Sequence, residues 1–64
     1  MKVVTVVPSG NVWGWCRSQY GVDGRIFSRH RSRELFRTQA EAVDAAQSIA
    51  RCYGARYAGV EVAS

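Results

Sequence analysis

His30 stands in an arginine-studded stretch between Ser28 and Ser32, and Cys16 precedes it in the chain. An imidazole that can reach a hydroxyl or thiol is the raw material of nucleophilic catalysis, provided a third group orients the base. No elbow sequence, triad order or orienting acid accompanies these residues, and Asp23 and Glu34 do not form a recognisable acid/base pair. A chain of 64 residues also has little room to build an enclosing pocket. The expectation is therefore a protein that is not an enzyme. Gly21-x-x-Gly24 lacks the strand-to-helix context of a phosphate loop and is expected to be a hairpin turn instead. Cys16 and Cys52 are far apart and there is one histidine, a set that cannot supply zinc ligands at ordinary spacing. Neither metal nor cofactor is expected. Nothing marks the chain as secreted, so the thiols are expected to be reduced and the protein cytoplasmic.

Binding chemistry is better represented than reactive chemistry. The formal net charge is +4, and all of the nine basic residues except Lys2 are arginine. Arg25, Arg29, Arg31, Arg33 and Arg37 crowd into one short window opposed only by Glu34. A local field of that sign favours a phosphate backbone, an anionic membrane or an acidic protein face. Arginine in particular pairs bidentately with phosphate and carboxylate. The competing interpretation is a solvated strand that displays charge without a partner. Trp13, Trp15 and Arg17 form a second candidate group. Exposed together, they could stack on bases and hold phosphates, or anchor a protein partner. Buried, the two indoles would be the core beneath a helix whose own side chains are small.

The elements that must position these residues follow from periodicity. Lys2 to Val7 is rich in β-branched residues and reads as a first strand, with Val3, Thr5 and Val7 on one face and Val4 and Val6 on the other. Valine on both faces points to a central strand or one covered on both sides. Pro8-Ser9-Gly10-Asn11 supplies a turn. Val12 to Tyr20 alternates Trp13, Trp15, Arg17 and Gln19 with Val12, Gly14, Cys16, Ser18 and Tyr20. Gly21-Val22-Asp23-Gly24 should close an antiparallel hairpin to a third strand from Arg25 to about Leu35. There Arg29, Arg31 and Arg33 would share one face and Ser28, His30 and Ser32 the other. Neither is a core face, which argues for an edge strand, or a bulge or loop near Ser28–Arg31.

Thr38 and Glu41 form a capping box. It opens an amphipathic run over about Gln39–Tyr53, with Ala42, Val43, Ala46, Ile49, Ala50 and Tyr53 on one stripe and Asp44, Gln47, Ser48 and Arg51 opposite. Gly54 stops the helix, and Tyr57 to Val62 is a fourth strand. Residues 1–64 thus form a single small α+β domain, a two-layer ββ(β)αβ unit whose antiparallel sheet is covered on one face by a single helix. The N-terminal apolar run is too short for a signal sequence and far below the roughly 20 residues of a membrane span, so no membrane partner is expected.

Val6-Val7-Pro8, the Trp13/Trp15 strand and Phe36-x-Thr38-x-x-Glu41-Ala42-x-x-x-Ala46, followed by Ala50-Arg51-x-x-Gly54, carry a resemblance. They occur in the order found in the small bacterial and phage proteins catalogued as domain of unknown function 2188. The chain resembles that family over most of its length, which implies a fold but no activity, and a cytoplasmic setting in a bacterial host if the protein is phage-encoded. The Thr38 cap, the alanine-rich helix and Trp13-Gly14 are also similar to the plant APETALA2/ethylene-response DNA-binding domain, a three-stranded sheet backed by one helix. Ser32 and His30 fall near places where that family carries Trp and Arg, so no base contact transfers.

Together these features lead to a small basic binding module that contacts nucleic acid, DNA or RNA. Arg29, Arg31 and Arg33, with Arg25, are the expected phosphate contacts, and Trp13, Trp15 and Arg17 the stacking or groove contacts. The alternative is a phage or mobile-element inhibitor, anti-CRISPR-like, that uses the same surface against an acidic face of a host or defence protein. The edge strand also offers a route to a homodimer.

Overall fold

A computed structural model describes residues 1–61. Strands β1 (Lys2–Ser9), β2 (Val12–Tyr20) and β3 (Ile26–Arg31) precede helix α1 (Gln39–Tyr53), which returns the chain to β4 (Arg56–Val60). The sheet order is β3-β2-β1-β4. The first three strands form an antiparallel meander, whereas β4 lies parallel to β1, so the sheet is mixed rather than wholly antiparallel. A parallel neighbour requires a crossover, and α1 is that crossover. Val62, expected in the fourth strand, lies outside the described residues.

β1 is central, as valine on both its faces implies. Val4 and Val6 are fully buried against Ala42, Ala46 and Ala50 of α1. Their alanine partners are small enough to bring the helix close to the sheet. Trp13, Trp15, Phe36, Val43, Ile49, Ala55, Tyr57 and Val60 pack around that centre. β1 continues past the expected turn to Ser9, with Pro8 opposite Trp13. Proline is tolerated there because β4 pairs with β1 only over Val3–Val6, which leaves the outer side of Pro8 unpaired.

The helix has the expected bounds. Thr38 is its N-cap, with the hydroxyl accepting from the Glu41 N–H at 3.2 Å. The reciprocal half of the capping box differs from expectation. The Glu41 carboxylate receives the Thr38 hydroxyl at 3.1 Å rather than the Thr38 backbone N–H. Gly54 ends the helix in the left-handed conformation at φ 63°, a geometry glycine adopts without steric cost. Among the described residues no helix is long and apolar enough to cross a membrane.

The helix packs on β1, β2 and β4 and leaves β3 uncovered. All six residues of β3 are exposed, on both faces. It is an edge strand, and its pairing with β2 shifts register between Gln19 and Tyr20, where Phe27 is the extra residue of a bulge. β3 also ends earlier than the expected Leu35. Ser32 still donates its N–H to the Trp15 carbonyl at 2.9 Å. Its hydroxyl then accepts from the Trp15 N–H at 3.1 Å and donates to the Glu34 carbonyl at 2.8 Å, which turns the chain out of the sheet. The chain rejoins β2 at Phe36, which exchanges two backbone hydrogen bonds with Trp13. Gly14 lies directly beneath this excursion. A Cβ there would come within 2.9 Å of the Ser32 Oγ, so the close approach of the loop requires glycine.

Candidate functional site

Cross-strand register assigns each candidate side chain to a face. Val6 is opposite Trp15 and Val4 opposite Arg17, so Trp13, Trp15, Arg17 and Gln19 point toward the helix layer. Trp13 and Trp15 are half-buried and pack against the core. They are not a pair of indoles displayed on the open face; the small helix side chains leave room that only bulky strand residues fill. Arg17 is half-buried too, with its guanidinium 4.1 Å from the centre of the Tyr53 ring.

Thr5, Gly14, Cys16, Ser18, Arg29 and Arg31 occupy the opposite, open face. No helix lies over it, yet Cys16, Ser18 and Gly14 are buried. The Ser32–Leu35 excursion covers Gly14, and Arg29 lies across Cys16. The Arg29 Nε donates to the Cys16 Sγ at 3.0 Å, while one terminal nitrogen donates to both Glu61 carboxylate oxygens at 3.1 and 3.2 Å. Thr5 donates its hydroxyl to the same carboxylate at 2.6 Å. Glu61 is itself placed by its backbone N–H, which donates to the Val6 carbonyl.

The electrostatics of this strap follow from its contacts. The Cys16 sulfur, then the Glu61 carboxylate, hold the Arg29 pKa above its already high ordinary value. Glu61 is held below the usual carboxylate range by the Thr5 hydroxyl first and by Arg29 second, against a desolvation that pushes it up; Arg31 adds through space. The ion pair ranks behind the Cys16 contact for Arg29 and behind both the Thr5 hydroxyl and desolvation for Glu61, as expected for side chains about two-fifths exposed.

Arg29 is therefore engaged inside the protein, and the expected row of Arg29, Arg31 and Arg33 along one strand face does not form. β3 ends at Arg31, and Arg33 lies beyond it in the excursion, near Trp15, His30 and Glu34. Arg25 belongs to the hairpin turn, where its backbone N–H donates to the Asp23 carboxylate and its carbonyl accepts from Gly21. Among the described residues Arg29–Glu61 is the only ion pair. The side chains of Arg25, Arg31, Arg33 and Arg37 are thus exposed without a carboxylate partner among the described residues.

Two shallow clefts lie along the uncovered side of the sheet. One, lined by Lys2, Arg17, Ser18, Gln19, Ser28 and Tyr53, measures about 200 Å3. The other, lined by Trp15, His30, Ser32, Arg33 and Glu34 among others, measures about 300 Å3. His30 is opposite Arg17 in the β2–β3 register, so the same strip of sheet joins both clefts. Cys16 and Cys52 are free thiols, the first buried on the open face and the second exposed on the helix, with the sheet between them. Among the described residues no cluster of three or more His, Cys, Asp or Glu side chains is arranged to hold a metal ion.

Glu61, Thr5, Tyr53 and Lys2 all shape these surfaces and were not singled out by sequence as site residues. No local signal identifies Glu61, because its role depends on β4 joining β1 in parallel. Tyr53 carried a usable signal: it is the last residue of the apolar stripe and the only aromatic on it. Comparison with family models, curated proteins and solved structures finds no match to this chain. The resemblances rest on the quoted motifs alone.

Proposed function

We propose that this protein is a small basic module that binds nucleic acid along β3 and the segment that follows it. One observation carries it: a strand uncovered on both faces is flanked by Arg25, Arg31, Arg33 and Arg37, none of which has an internal ion-pair partner among the described residues. Unpaired guanidinium groups on a protruding edge are the arrangement that phosphate backbones neutralise, with release of counterions. Arg29 is excluded from this set because Cys16 and Glu61 hold it.

The test is the salt dependence of binding to a labelled oligonucleotide. Replacing Arg31, Arg33 and Arg37 together by glutamine should lower the log–log salt slope by about 2 for a single strand, at about 0.7 per neutralised phosphate, or by about 2.7 for a duplex. Arg29→Gln should leave the slope nearly unchanged. If the wild-type protein binds no nucleic acid below the high micromolar range at ~50 mM salt, the proposal fails.

A second assignment, to an inhibitor of a host or defence protein, draws on the free hydrogen-bonding edge of β3. An acidic strand could add there in register, with the arginines supplying charge complementarity. Self-association through the same edge is disfavoured, because antiparallel pairing of two copies would oppose like charges. A partner that survives nuclease treatment in a pull-down would favour this second assignment.

A further inference from the structure

Resting on the nucleic-acid proposal, we infer that the ligand is single-stranded and lies in the trough on the helix side of β2 and β3, with bases against Trp15 and Tyr53. The floor of the trough is set by the register. Gln19 is opposite Ser28 and Arg17 opposite His30, and Trp15 meets Ser32 through two hydrogen bonds. Trp15 and His30 are thus diagonal neighbours on one face. The helix forms one wall, with Tyr53 at its last turn, and β3, which the helix does not cover, leaves the other side open. From Trp15 to Gln19 the floor runs about 13 Å at roughly 3.3 Å per residue.

The chemistry of the trough differs from that of the open face. Lys2, Arg17, His30 and Arg33 line it, Arg31 borders its second cleft from the open face, and Glu34 is the acid at its far end. On the open face the Glu61 carboxylate sits among Thr5, Arg29 and Cys16, where it neutralises Arg29 and repels phosphate. Both aromatics at the ends of the trough are incompletely used by the fold. Tyr53 is 48% exposed, with the Arg17 guanidinium over one face of its ring. Trp15 packs against the core while remaining partly exposed, and its indole N–H has no hydrogen-bond partner among the described residues. Ser32 bonds both the N–H and the carbonyl of Trp15, so the backbone that carries the indole is held in place before any ligand arrives.

Basic residues interleaved with aromatic rings in a groove are what single strands need: charge for the backbone and stacking for bases of any identity. A duplex offers no free base face to Trp15, because its bases are already stacked within the helix. A bound duplex would have to ride on the arginines alone.

The experiment titrates the protein with a labelled ten-nucleotide oligothymidylate, with the same strand annealed to its complement, and with polyglutamate of matched charge, at ~50 mM salt. The single strand should bind at least fivefold tighter than the duplex, and polyglutamate weakest. Trp15→Leu should weaken single-strand binding by about five- to hundredfold, the range of one lost base stack, and leave duplex binding within twofold. Because that variant removes core packing, Tyr53→Ala and His30→Ala, both at exposed positions, serve alongside it with an expected loss of about fivefold each. In the wild-type protein the Trp15 indole N–H resonance should shift on addition of the single strand and that of Trp13 should stay in place. Equal binding of both nucleic acids with an unmoved Trp15 resonance would overturn the trough while leaving arginine-mediated binding intact. Failure of both to bind, or tighter binding of polyglutamate, would overturn the nucleic-acid proposal with it.

Discussion

β1 and β3 belong to the same sheet, separated by β2, and have opposite environments. β1 is paired on both sides, and its Val4 and Val6 have no solvent exposure. β3 is paired on one side only and has no buried residue. The difference comes from where the helix lies. A 15-residue helix crossing back to pair β4 beside β1 sits over β1, β2 and β4, and no described element covers β3. Stability is concentrated in one half of the molecule, and the other half is free to carry charge and bind. Small domains have little stability to spare, so this division limits where substitutions are tolerated.

Truncating matched hydrophobic residues tests that division most strongly. Val6→Ala should cost about 2 kcal/mol, from lost burial and a cavity beneath Ala42 and Ala46. Phe27→Ala, on the exposed bulge of β3, should change stability by less than about 0.5 kcal/mol despite removing a larger side chain. Urea denaturation of the two variants provides the check, and equal costs would mean that β3 is covered in solution.

The junction between the halves should respond next. Gly14→Ala forces the Ser32 hydroxyl aside and breaks the bonds it makes to Trp15 and Glu34, at an expected cost of about 1–2 kcal/mol. In a Ser32→Ala background the same substitution should cost clearly less, because the clashing atom is gone. Additive effects in this cycle would show that the excursion does not press on Gly14.

At the start of the helix, Thr38→Ala should destabilise by about 1 kcal/mol and Thr38→Ser by much less. Glu41→Ala should cost less than Thr38→Ala, since the structure gives the carboxylate only the threonine hydroxyl as partner. Thermal melts of the three variants would reveal any reversal of that order.

The smallest effect concerns the Arg29 strap. Glu61 has a folded pKa below its ordinary value, so the stabilisation it provides is present above the unfolded value of about 4.3 and is lost as pH falls through the folded value. Glu61→Gln should flatten the pH dependence of stability below about pH 4.3 and change little at neutral pH, given the exposure of the pair. A stability difference that is constant between pH 7 and pH 3 would show that the carboxylate does not act through its charge.

Most of the framework was legible in the sequence, because it is written in local signals. The Thr38 cap and Gly54 gave the helix its bounds, and Gly21-Val22-Asp23-Gly24 gave the hairpin. Alternation assigned Val3 to Val7 and Val12 to Tyr20 to the correct pair of faces. What alternation could not supply was which face meets the helix, since tryptophans on one side and a cysteine with small residues on the other both read as core. Burial settled it in an unexpected way: the small open-face residues are the more enclosed, sheltered by Arg29 and the Ser32–Leu35 excursion. The arginine row failed for a related reason. Period-two counting continued through Ser32, where a side-chain hydrogen bond takes the chain out of the sheet, and it could not foresee that Arg29 would find Glu61. The parallel placement of β4 was likewise invisible, because Tyr57-Ala58-Gly59-Val60 contains nothing that encodes its neighbour.

The most direct test of the account is a titration of the isotopically labelled wild-type protein with a short single-stranded oligonucleotide, followed residue by residue through its amide resonances. Shifts should concentrate in β3, in the segment from Ser32 to Arg37 and at Arg17 to Gln19. Asp44, Gln47, Ser48 and Arg51 on the outer face of the helix should stay in place. Shifts centred on that helix face, or an unchanged spectrum at saturating oligonucleotide, would contradict the assignment of binding to the uncovered half of the sheet.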